Sequence, residues 1–290
     1  MFAGELEILK LLEGIRTDTL NKVFEYITML GEEIPMVFII AILYFAFDKK
    51  IAQKIFYITV TSLGFNGIIK NIIKLPRPFA TNQVSCVRPD TATGYSFPSG
   101  HTQNFATWSS VVAMKLKKTW INIVAAILII LVAFSRIFLG AHFPSDVIIG
   151  AIVGILFGIL GYIGYDKFED KRKLYFATIL ILTPFALGFM IKPDMLFADF
   201  YKAYGMIIGL LLAVMCEEKY APLEYDVAWW KKVIRVVLAI VIAFIIKEGI
   251  KMLNVFGGTL ISLVIDTIRY MLLIFVVFGI CPLLFKRFKI

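Results

Sequence analysis

Nine runs of apolar residues set the strongest limit on what this chain can fold into. Most are roughly 17 to 25 residues long, the length at which a helix crosses a hydrocarbon core. The runs cover approximately 33–47, 52–74, 103–116, 120–139, 146–165, 174–191, 199–216, 233–252 and 259–284. Apolar residues make up 60% of the chain, so too few polar side chains remain to cover a soluble protein. We therefore expect an all-α, polytopic membrane helix bundle with about nine transmembrane helices.

The first residues, 1–31, have a different pattern, in which charged and apolar side chains are interleaved at helical spacing. Leu6 and Leu9, for example, alternate with Glu7 and Lys10. This pattern predicts one or two amphipathic helices lying at the membrane interface. The alternative is a helix packed against the end of the bundle, and the pattern does not separate the two.

The net charge of +9 is concentrated in alternate loops. The basic residues near the ends of the first, third, fifth and seventh apolar runs, and at the C-terminus, are Lys49, Lys50, Lys54, Lys115, Lys117, Lys118, Lys167, Lys171, Arg172, Lys173, Lys219, Lys231, Lys232, Arg235, Lys286, Arg287 and Lys289. Because Lys and Arg accumulate in cytoplasmic loops, we expect a cytoplasmic C-terminus and an N-terminus outside, in a plasma or inner membrane. No basic stretch is long enough to form a groove for nucleic acid, so we expect no nucleic-acid partner.

Three polar clusters occur at the predicted outer ends of helices. They are Lys70 with Arg77-Pro78, the segment Tyr95-Ser96-Phe97-Pro98-Ser99-Gly100-His101-Thr102, and Ser135-Arg136 with His142 and Asp146. Guanidinium groups match phosphate oxygens, and the N–H groups at a helix N-terminus bind anions. Together Lys70, Arg77, Arg136 and the helix start at Ser99 and Gly100 predict a phosphate-binding pocket. The structural alternatives are snorkelling for Lys70 and helix N-capping for Ser99.

His101 and His142 are the only two histidines of the chain, and both fall in these clusters. Asp146, four residues after His142, can accept a hydrogen bond from one ring nitrogen and make the other more nucleophilic. His142 can then attack phosphorus, while His101 can protonate the leaving oxygen. The clusters lack metal-ligand spacing, so we expect no metal and no other cofactor, with the cationic side chains neutralising the phosphate.

These clusters resemble the motifs of the type 2 phosphatidic acid phosphatase superfamily, which also includes glucose-6-phosphatase and the vanadium haloperoxidases. The family pattern K-x6-R-P, P-S-G-H and S-R-x5-H-x3-D is filled at every position by Lys70, Arg77, Pro78, Pro98, Ser99, Gly100, His101, Ser135, Arg136, His142 and Asp146. The resemblance covers roughly residues 30–165. It implies a catalytic core at 32–165, between the amphipathic segment 1–31 and an additional four-helix membrane region at 166–290.

The resemblance also implies a metal-independent phosphatase that works through a phosphohistidine intermediate. His142 would be the nucleophile, Asp146 would orient it, and His101 would act as acid and then as base. The phosphate ligands would be Lys70, Arg77, Ser99, Gly100 and Arg136.

An amphiphilic phosphate in the membrane is the expected substrate, because a site at the ends of membrane helices leaves an acyl or prenyl tail in the bilayer. A phosphate ester and a diphosphate both fit this expectation. The nine-helix topology is similar to that of the glucose-6-phosphatase and sphingosine-1-phosphate phosphatase branches, so a soluble sugar phosphate is the first alternative. The second alternative is an anion transporter that uses the same pocket.

Two features outside the motifs also carry predictions. The charged residues of the last two runs, Lys247, Glu248, Lys251, Asp266 and Arg269, favour a structural network over a polar substrate path, with a turn near Gly257 and Gly258 bringing them together. The spacing of Gly150, Gly154 and Gly158 predicts close helix packing that fixes His142 and Asp146, and a homodimer is the alternative.

Overall fold

A computed structural model describes residues 4–252 and 258–290, and within these ranges the chain forms helices and loops without any strand. The helices are α1 (Glu5–Gly14), α2 (Asp18–Met29), α3 (Glu33–Ile42), α4 (Lys49–Ile73), α5 (Gly100–Leu116), α6 (Thr119–Phe138), α7 (Pro144–Tyr165), α8 (Lys171–Met190), α9 (Ala198–Tyr220), α10 (Trp229–Lys251), α11 (Thr259–Phe275) and α12 (Cys281–Phe288). Two π-helical turns, Leu43–Phe47 and Val276–Ile280, extend α3 and α11. Gly257, where the sequence predicts a turn, lies outside the described residues.

Every predicted apolar run falls on helical structure. The described stretches that are long and apolar enough to cross a membrane are Thr119–Phe138, Pro144–Tyr165, Lys171–Met190, Met195–Tyr220 and Thr259–Phe288. These helices make the chain an integral membrane protein. The remaining runs lie on shorter or more polar helices: α5, for example, has 17 residues and opens with a polar first turn.

The chain folds as two compact units. The first contains the segment up to Met36 together with Phe65–Gly164, and the second contains Val37–Gly64 together with Tyr165–Ile290. All predicted site residues belong to the first unit. This grouping differs from the division predicted from sequence, because residues 37–64 group with the C-terminal helices rather than with the predicted core at 32–165.

The N-terminal helices pack against the rest of the first unit. The ring of Phe24 in α2 lies 4.2 Å from that of Phe138 and 5.4 Å from that of Phe134, measured between centroids. Leu9 in α1 is fully buried in a cluster with Val84 and Phe143. These contacts correspond to the packed-helix alternative, and a position of α1 and α2 at the membrane interface stays a prediction.

The glycine stripe of α7 packs against α5. A Cβ atom on Gly150 would lie 2.8 Å from the carbonyl oxygen of Ser99, and one on Gly154 would lie 2.5 Å from that of Gln103. Both distances are too short for a real side chain, so the absence of a Cβ is what allows the two backbones to approach. The predicted close packing is therefore confirmed, while its role in fixing His142 and Asp146 stays a prediction; α5 covers the face that a homodimer through this stripe would need.

In the second unit, glycine allows the same kind of approach between α9 and α11. A Cβ atom on Gly205 would lie 2.2 Å from the carbonyl oxygen of Thr267. On α11 the buried side chains of Asp266 and Arg269 form an ion pair at 2.8 Å. An ion pair within one helix is consistent with the structural network predicted for the charged residues of this region.

Candidate active site

His142 lies in the turn between α6 and α7 with its ring between a carboxylate and a guanidinium. Its Nδ1 atom is 3.3 Å from Oδ2 of Asp146, and its Nε2 atom is 3.0 Å from Nη1 of Arg77. A guanidinium can only donate hydrogen bonds, so Nε2 must be the acceptor. The neutral ring therefore carries its proton on Nδ1, facing Asp146, and presents a lone pair at Nε2.

The pKa of His142 is well below the ordinary value of 6.5. Burial is the main cause, and the positive charges of Arg77 and Arg136 lower the pKa further. Positive charge on Lys70 and on His101 acts in the same direction. The ring of His142 is consequently neutral near neutral pH, which is the form that a nucleophile needs.

Asp146 faces donors from two parts of the first unit, the loop before α5 and the turn before α7. Its Oδ2 atom accepts hydrogen bonds from Ser96 Oγ at 2.5 Å and from the backbone N–H of Phe143 at 2.9 Å, besides facing His142. Sequence reasoning missed Ser96, although it lies in the same cluster as Ser99 and is fully buried. Its hydroxyl donates to the carboxylate oxygen that faces the histidine.

Arg77 connects the long loop after α4 to the turn that carries the histidine. Its Nε atom donates to the carbonyl oxygen of Gly94 at 2.9 Å, and Nη2 donates to that of Thr93 at 2.5 Å. Nη1 donates to the carbonyl oxygen of Ala141 at 3.0 Å and also faces His142. Arg77 therefore holds the loop in place as well as lying at the predicted phosphate site.

Arg136 is fully buried in the last turn of α6. Its Nη1 atom donates to Oγ1 of Thr28 at 3.0 Å. Its Nε and Nη2 atoms have no hydrogen-bond partner in the described part of the chain. Two unsatisfied donors on one buried guanidinium suit a bidentate oxyanion such as phosphate.

The start of α5 lies beside the end of α4. A Cβ atom on Gly100 would be 3.9 Å from Nζ of Lys70. Lys70 is 5% exposed, so its side chain is buried and does not extend to the surface as the snorkelling alternative requires. Ser99 occupies the N-cap position, but its side chain makes no capping bond and accepts one from Thr102 Oγ1 at 3.1 Å. The N-capping alternative therefore does not account for the side chain of Ser99.

Asn66 was also missed from sequence, and it fixes the loop that leads into α5. Its Nδ2 atom donates to the carbonyl oxygen of Pro98 at 3.2 Å and to Oε1 of Gln103 at 2.8 Å. The only sequence signal was its position one helical turn before Lys70.

His101 is the second residue of α5 and is half-buried. Its backbone packs on Gly31, where a Cβ atom would lie 2.7 Å from the His101 carbonyl oxygen.

Within residues 4–252 and 258–290, no three His, Cys, Asp or Glu side chains converge in an arrangement that could hold a metal ion. Besides the carboxylate of Asp146, three cationic side chains act on His142, namely Lys70, Arg77 and Arg136. Such a site can bind a phosphate group and neutralise it through hydrogen-bond donors.

Comparison with known proteins agrees with this chemistry. A model described as PAP2 superfamily matches residues 51–170, and one described as PAP2 superfamily phosphatase, transmembrane extension, matches residues 201–290. The phosphatidylglycerophosphatase B of Bacillus subtilis (strain 168) is 31% identical over 178 residues, which cover 56% of this chain and 81% of that protein. The chain belongs to the PAP2 superfamily.

Other relatives of this PAP2 protein differ in the activity that their names state. An undecaprenyl-diphosphatase of Sulfolobus acidocaldarius is 28% identical over 150 residues, covering 51% of this chain and 72% of the relative. The human glucose-6-phosphatase 3 is 28% identical over 187 residues, covering 56% of this chain and 53% of the relative. The PAP2 protein is therefore a membrane phosphatase, and its predicted site residues all lie within the matched segment 51–170.

Proposed function

We propose that this PAP2 protein hydrolyses the phosphate ester or diphosphate of a membrane lipid through a phosphohistidine on His142, without a metal ion. The observation that carries the proposal is the state of the His142 ring. Nδ1 faces Asp146, burial and neighbouring cations keep the ring neutral, and Nε2 offers a lone pair. The unsatisfied donors of Arg136 in the same unit supply a place for phosphate oxygens.

In the first proposed step, Nε2 of His142 attacks phosphorus and the bond from phosphorus to the leaving oxygen breaks. His101 gives its proton to that oxygen. Asp146 accepts the hydrogen bond from Nδ1–H and stabilises the positive charge that develops on the ring. In the second step, His101 takes a proton from water, the water oxygen attacks phosphorus, and the nitrogen–phosphorus bond breaks to release phosphate.

The proposed phosphate ligands are Lys70, Arg77, Ser99, Gly100 and Arg136. Arg77 Nη1 now lies 3.0 Å from Nε2 of His142, where it occupies the lone pair that must attack. Substrate binding therefore has to move this donor from the histidine to a phosphate oxygen. The exchange removes a hydrogen bond from the nucleophile as the substrate arrives.

A lipid substrate is supported by the relatives that are named for phosphatidylglycerophosphate and undecaprenyl diphosphate. It is also supported by the position of the residues at helix ends, where a tail can remain in the bilayer. The likeness to glucose-6-phosphatase 3 supports a second candidate, a soluble sugar phosphate. The three relatives described above are named as phosphatases, which favours hydrolysis over the anion transporter suggested by the charged helices.

The experiment is a phosphate-release screen with pure protein in detergent. The substrates are prenyl diphosphates, phosphatidylglycerol phosphate, phosphatidic acid, sphingoid phosphates and sugar phosphates, with His142→Ala as the negative control. We expect release from a lipid substrate and none from the variant. Release from sugar phosphates alone supports the second candidate, and no release from any substrate contradicts a phosphatase.

The phosphohistidine is tested separately with a substrate carrying labelled phosphate. We expect a protein-bound label that is stable in alkali and labile in acid, as a nitrogen–phosphorus bond is. The label should be absent in His142→Ala and present in a variant of an exposed residue away from the site, Asp226→Asn. An alkali-labile label would place the intermediate on another side chain.

We also propose nine membrane spans, with the N-terminus and active site on the non-cytoplasmic side and the C-terminus in the cytoplasm. The proposed organisation is an amphipathic segment 1–31, a catalytic core 32–165 and an additional four-helix region 166–290. A homodimer would need a surface other than the glycine stripe of α7.

The orientation is tested with single cysteines introduced at Lys118 or Asp194 in a chain whose own three cysteines have been replaced. We expect a membrane-impermeant maleimide added outside to label only Asp194→Cys. Labelling of Lys118→Cys from outside reverses the topology.

A further inference from the structure

A residue at the end of α2 makes a polar contact with the candidate site. This helix lies before the segment that matches the PAP2 superfamily. Thr28 lies in the last turn of α2 and is fully buried, and its Oγ1 accepts the hydrogen bond from Nη1 of Arg136 at 3.0 Å. The matched segment begins at residue 51, so the family motifs do not include this contact.

The packing of α2 explains why Thr28 reaches Arg136. Phe24, one helical turn before Thr28 on the same face, packs on the rings of Phe134 and Phe138 of α6. That contact holds the face of α2 that carries Thr28 against α6. The turn after α2 is held as well, because Asn104 Nδ2 donates to the carbonyl oxygen of Gly31 at 2.9 Å. The position of the Thr28 hydroxyl is thus set by α5 and α6, the helices that contribute to the site.

The contact determines which donors of Arg136 remain available. A guanidinium is planar, so a bond at Nη1 fixes the direction of the whole group. Nε and Nη2 are the atoms left without a partner in the described residues, and both are buried. Without an acceptor at Thr28, Nη1 would be a third buried donor with no partner, and the side chain would turn to satisfy it.

We propose that Thr28 is a positioning residue for phosphate transfer, acting through Arg136 to direct its Nε and Nη2 donors at the phosphate oxygens. The inference rests on the proposed function of the site. It adds to that function an N-terminal helix whose hydroxyl sets the geometry of a phosphate ligand. A purely structural role for Thr28 is the competing explanation, in which the hydroxyl only satisfies a buried arginine.

The test compares Thr28→Val, which removes the hydroxyl at similar size, with Thr28→Ser, which keeps it. Thr59→Val is the matched control, since Thr59 is also fully buried in a helix but its hydroxyl has no hydrogen-bond partner among the described residues. We expect kcat/KM of Thr28→Val to fall about tenfold, equivalent to about 1.4 kcal/mol, in a protein that remains folded. Thr28→Ser should stay within about twofold of the native protein and Thr59→Val should match it.

A second readout does not need turnover. The dissociation constant for inorganic phosphate, measured by calorimetry, should rise about tenfold in Thr28→Val and return to the native value in Thr28→Ser. In an Arg136→Ala background, Thr28→Val should have no further effect on either quantity, because residues that act through one another are not additive.

The outcomes separate the two proposals. If the native protein binds phosphate but hydrolyses no substrate, the proposed function fails while the effect of Thr28 on phosphate affinity still decides the inference. If Thr28→Val leaves kcat/KM and phosphate affinity unchanged, the inference is overturned and the phosphatase stands. An equal loss in Thr28→Val with and without Arg136 also overturns it, since the effect would not pass through the arginine.

Discussion

Asp146 Oδ2 lies 3.3 Å from Nδ1 of His142, one helical turn away along the chain. Asp146 belongs to the first turn of α7, while His142 lies in the turn just before that helix. The helix start thus brings a carboxylate to one ring nitrogen and leaves the other directed at Arg77.

Removal of the carboxylate charge should nearly stop turnover while leaving the protein folded. We expect Asp146→Asn to lower kcat by about 10²–10⁴, as when the aspartate of a catalytic triad is replaced, because the ring loses the acceptor that fixes its tautomer. Steady-state phosphate release measures the effect, with Asp226→Asn at an exposed site as control. A loss of less than threefold would mean that Asp146 does not orient the nucleophile.

The Ser96 hydroxyl should matter because it donates to the same carboxylate oxygen at 2.5 Å. We expect Ser96→Ala to lower kcat about tenfold, since a bond to a charged group contributes about 1.5–3 kcal/mol. The control is Ser109→Ala, at another buried serine, whose hydroxyl donates to the carbonyl oxygen of Ala106 in its own helix. Equal activity of both variants would contradict a role for Ser96 in holding Asp146.

The pKa of His142 should be measurable directly, because the chain has only two histidines. In protein labelled with ¹⁵N-histidine, the His142 resonance, assigned by its loss in His142→Ala, should titrate at a pH well below 6.5. Arg77→Gln should raise this pKa, because it removes the nearest positive charge. A titration of His142 at or above 6.5 would refute the burial that the structure shows.

The lowered pKa of His142 also predicts how activity and stability change with pH. Because the folded-state pKa is depressed, kcat/KM should hold as pH falls to 6.5 and drop only near the lower pKa of His142. The unfolded chain binds the proton first, so the contribution of this neutral ring to stability is complete above pH 6.5 and declines as pH falls below it. Thermal midpoints across pH 4 to 8, compared with those of His142→Ala, measure this contribution.

The close approach of α5 and α7 should be sensitive to a single methyl group. A Cβ atom at Gly154 would lie 2.5 Å from the carbonyl oxygen of Gln103, whereas one at Gly164 meets nothing within 4 Å. We expect Gly154→Ala to cost about 1–3 kcal/mol and to lower activity, because the helices that carry His101 and Asp146 must separate. Gly164→Ala should be neutral in thermal unfolding. Equal midpoints for the two variants would contradict the packing.

Chelation should not affect the enzyme if cationic side chains alone neutralise the phosphate. We expect incubation with EDTA, followed by its removal, to leave phosphate release unchanged. A zinc-dependent phosphatase treated in the same detergent shows that the chelator works. Inactivation that is reversed by adding a divalent metal would contradict the metal-free mechanism.

Much of the fold and of the site could be predicted from sequence, since both rest on local patterns. Apolar runs long enough to cross a bilayer predict helices whatever else surrounds them, and each run is helical. Asp146 follows His142 by four residues, so the start of one helix is sufficient to bring the two side chains together. The spacing of Gly150 and Gly154 likewise places both on one face of a helix.

Only the tertiary structure could identify Ser96, Asn66 and Thr28. Each is an ordinary polar residue whose partner is remote along the chain: Thr28 and Arg136 are 108 residues apart, and Ser96 and Asp146 are 50 apart. Nothing in the local sequence distinguishes such a hydroxyl from one that caps a helix or faces water. The sequence by itself determined which side chains we propose to carry the chemistry, because the motif spacing lies within single helices and turns. Helix packing decided which hydroxyls and amides hold them, because those contacts exist only once remote segments have come together.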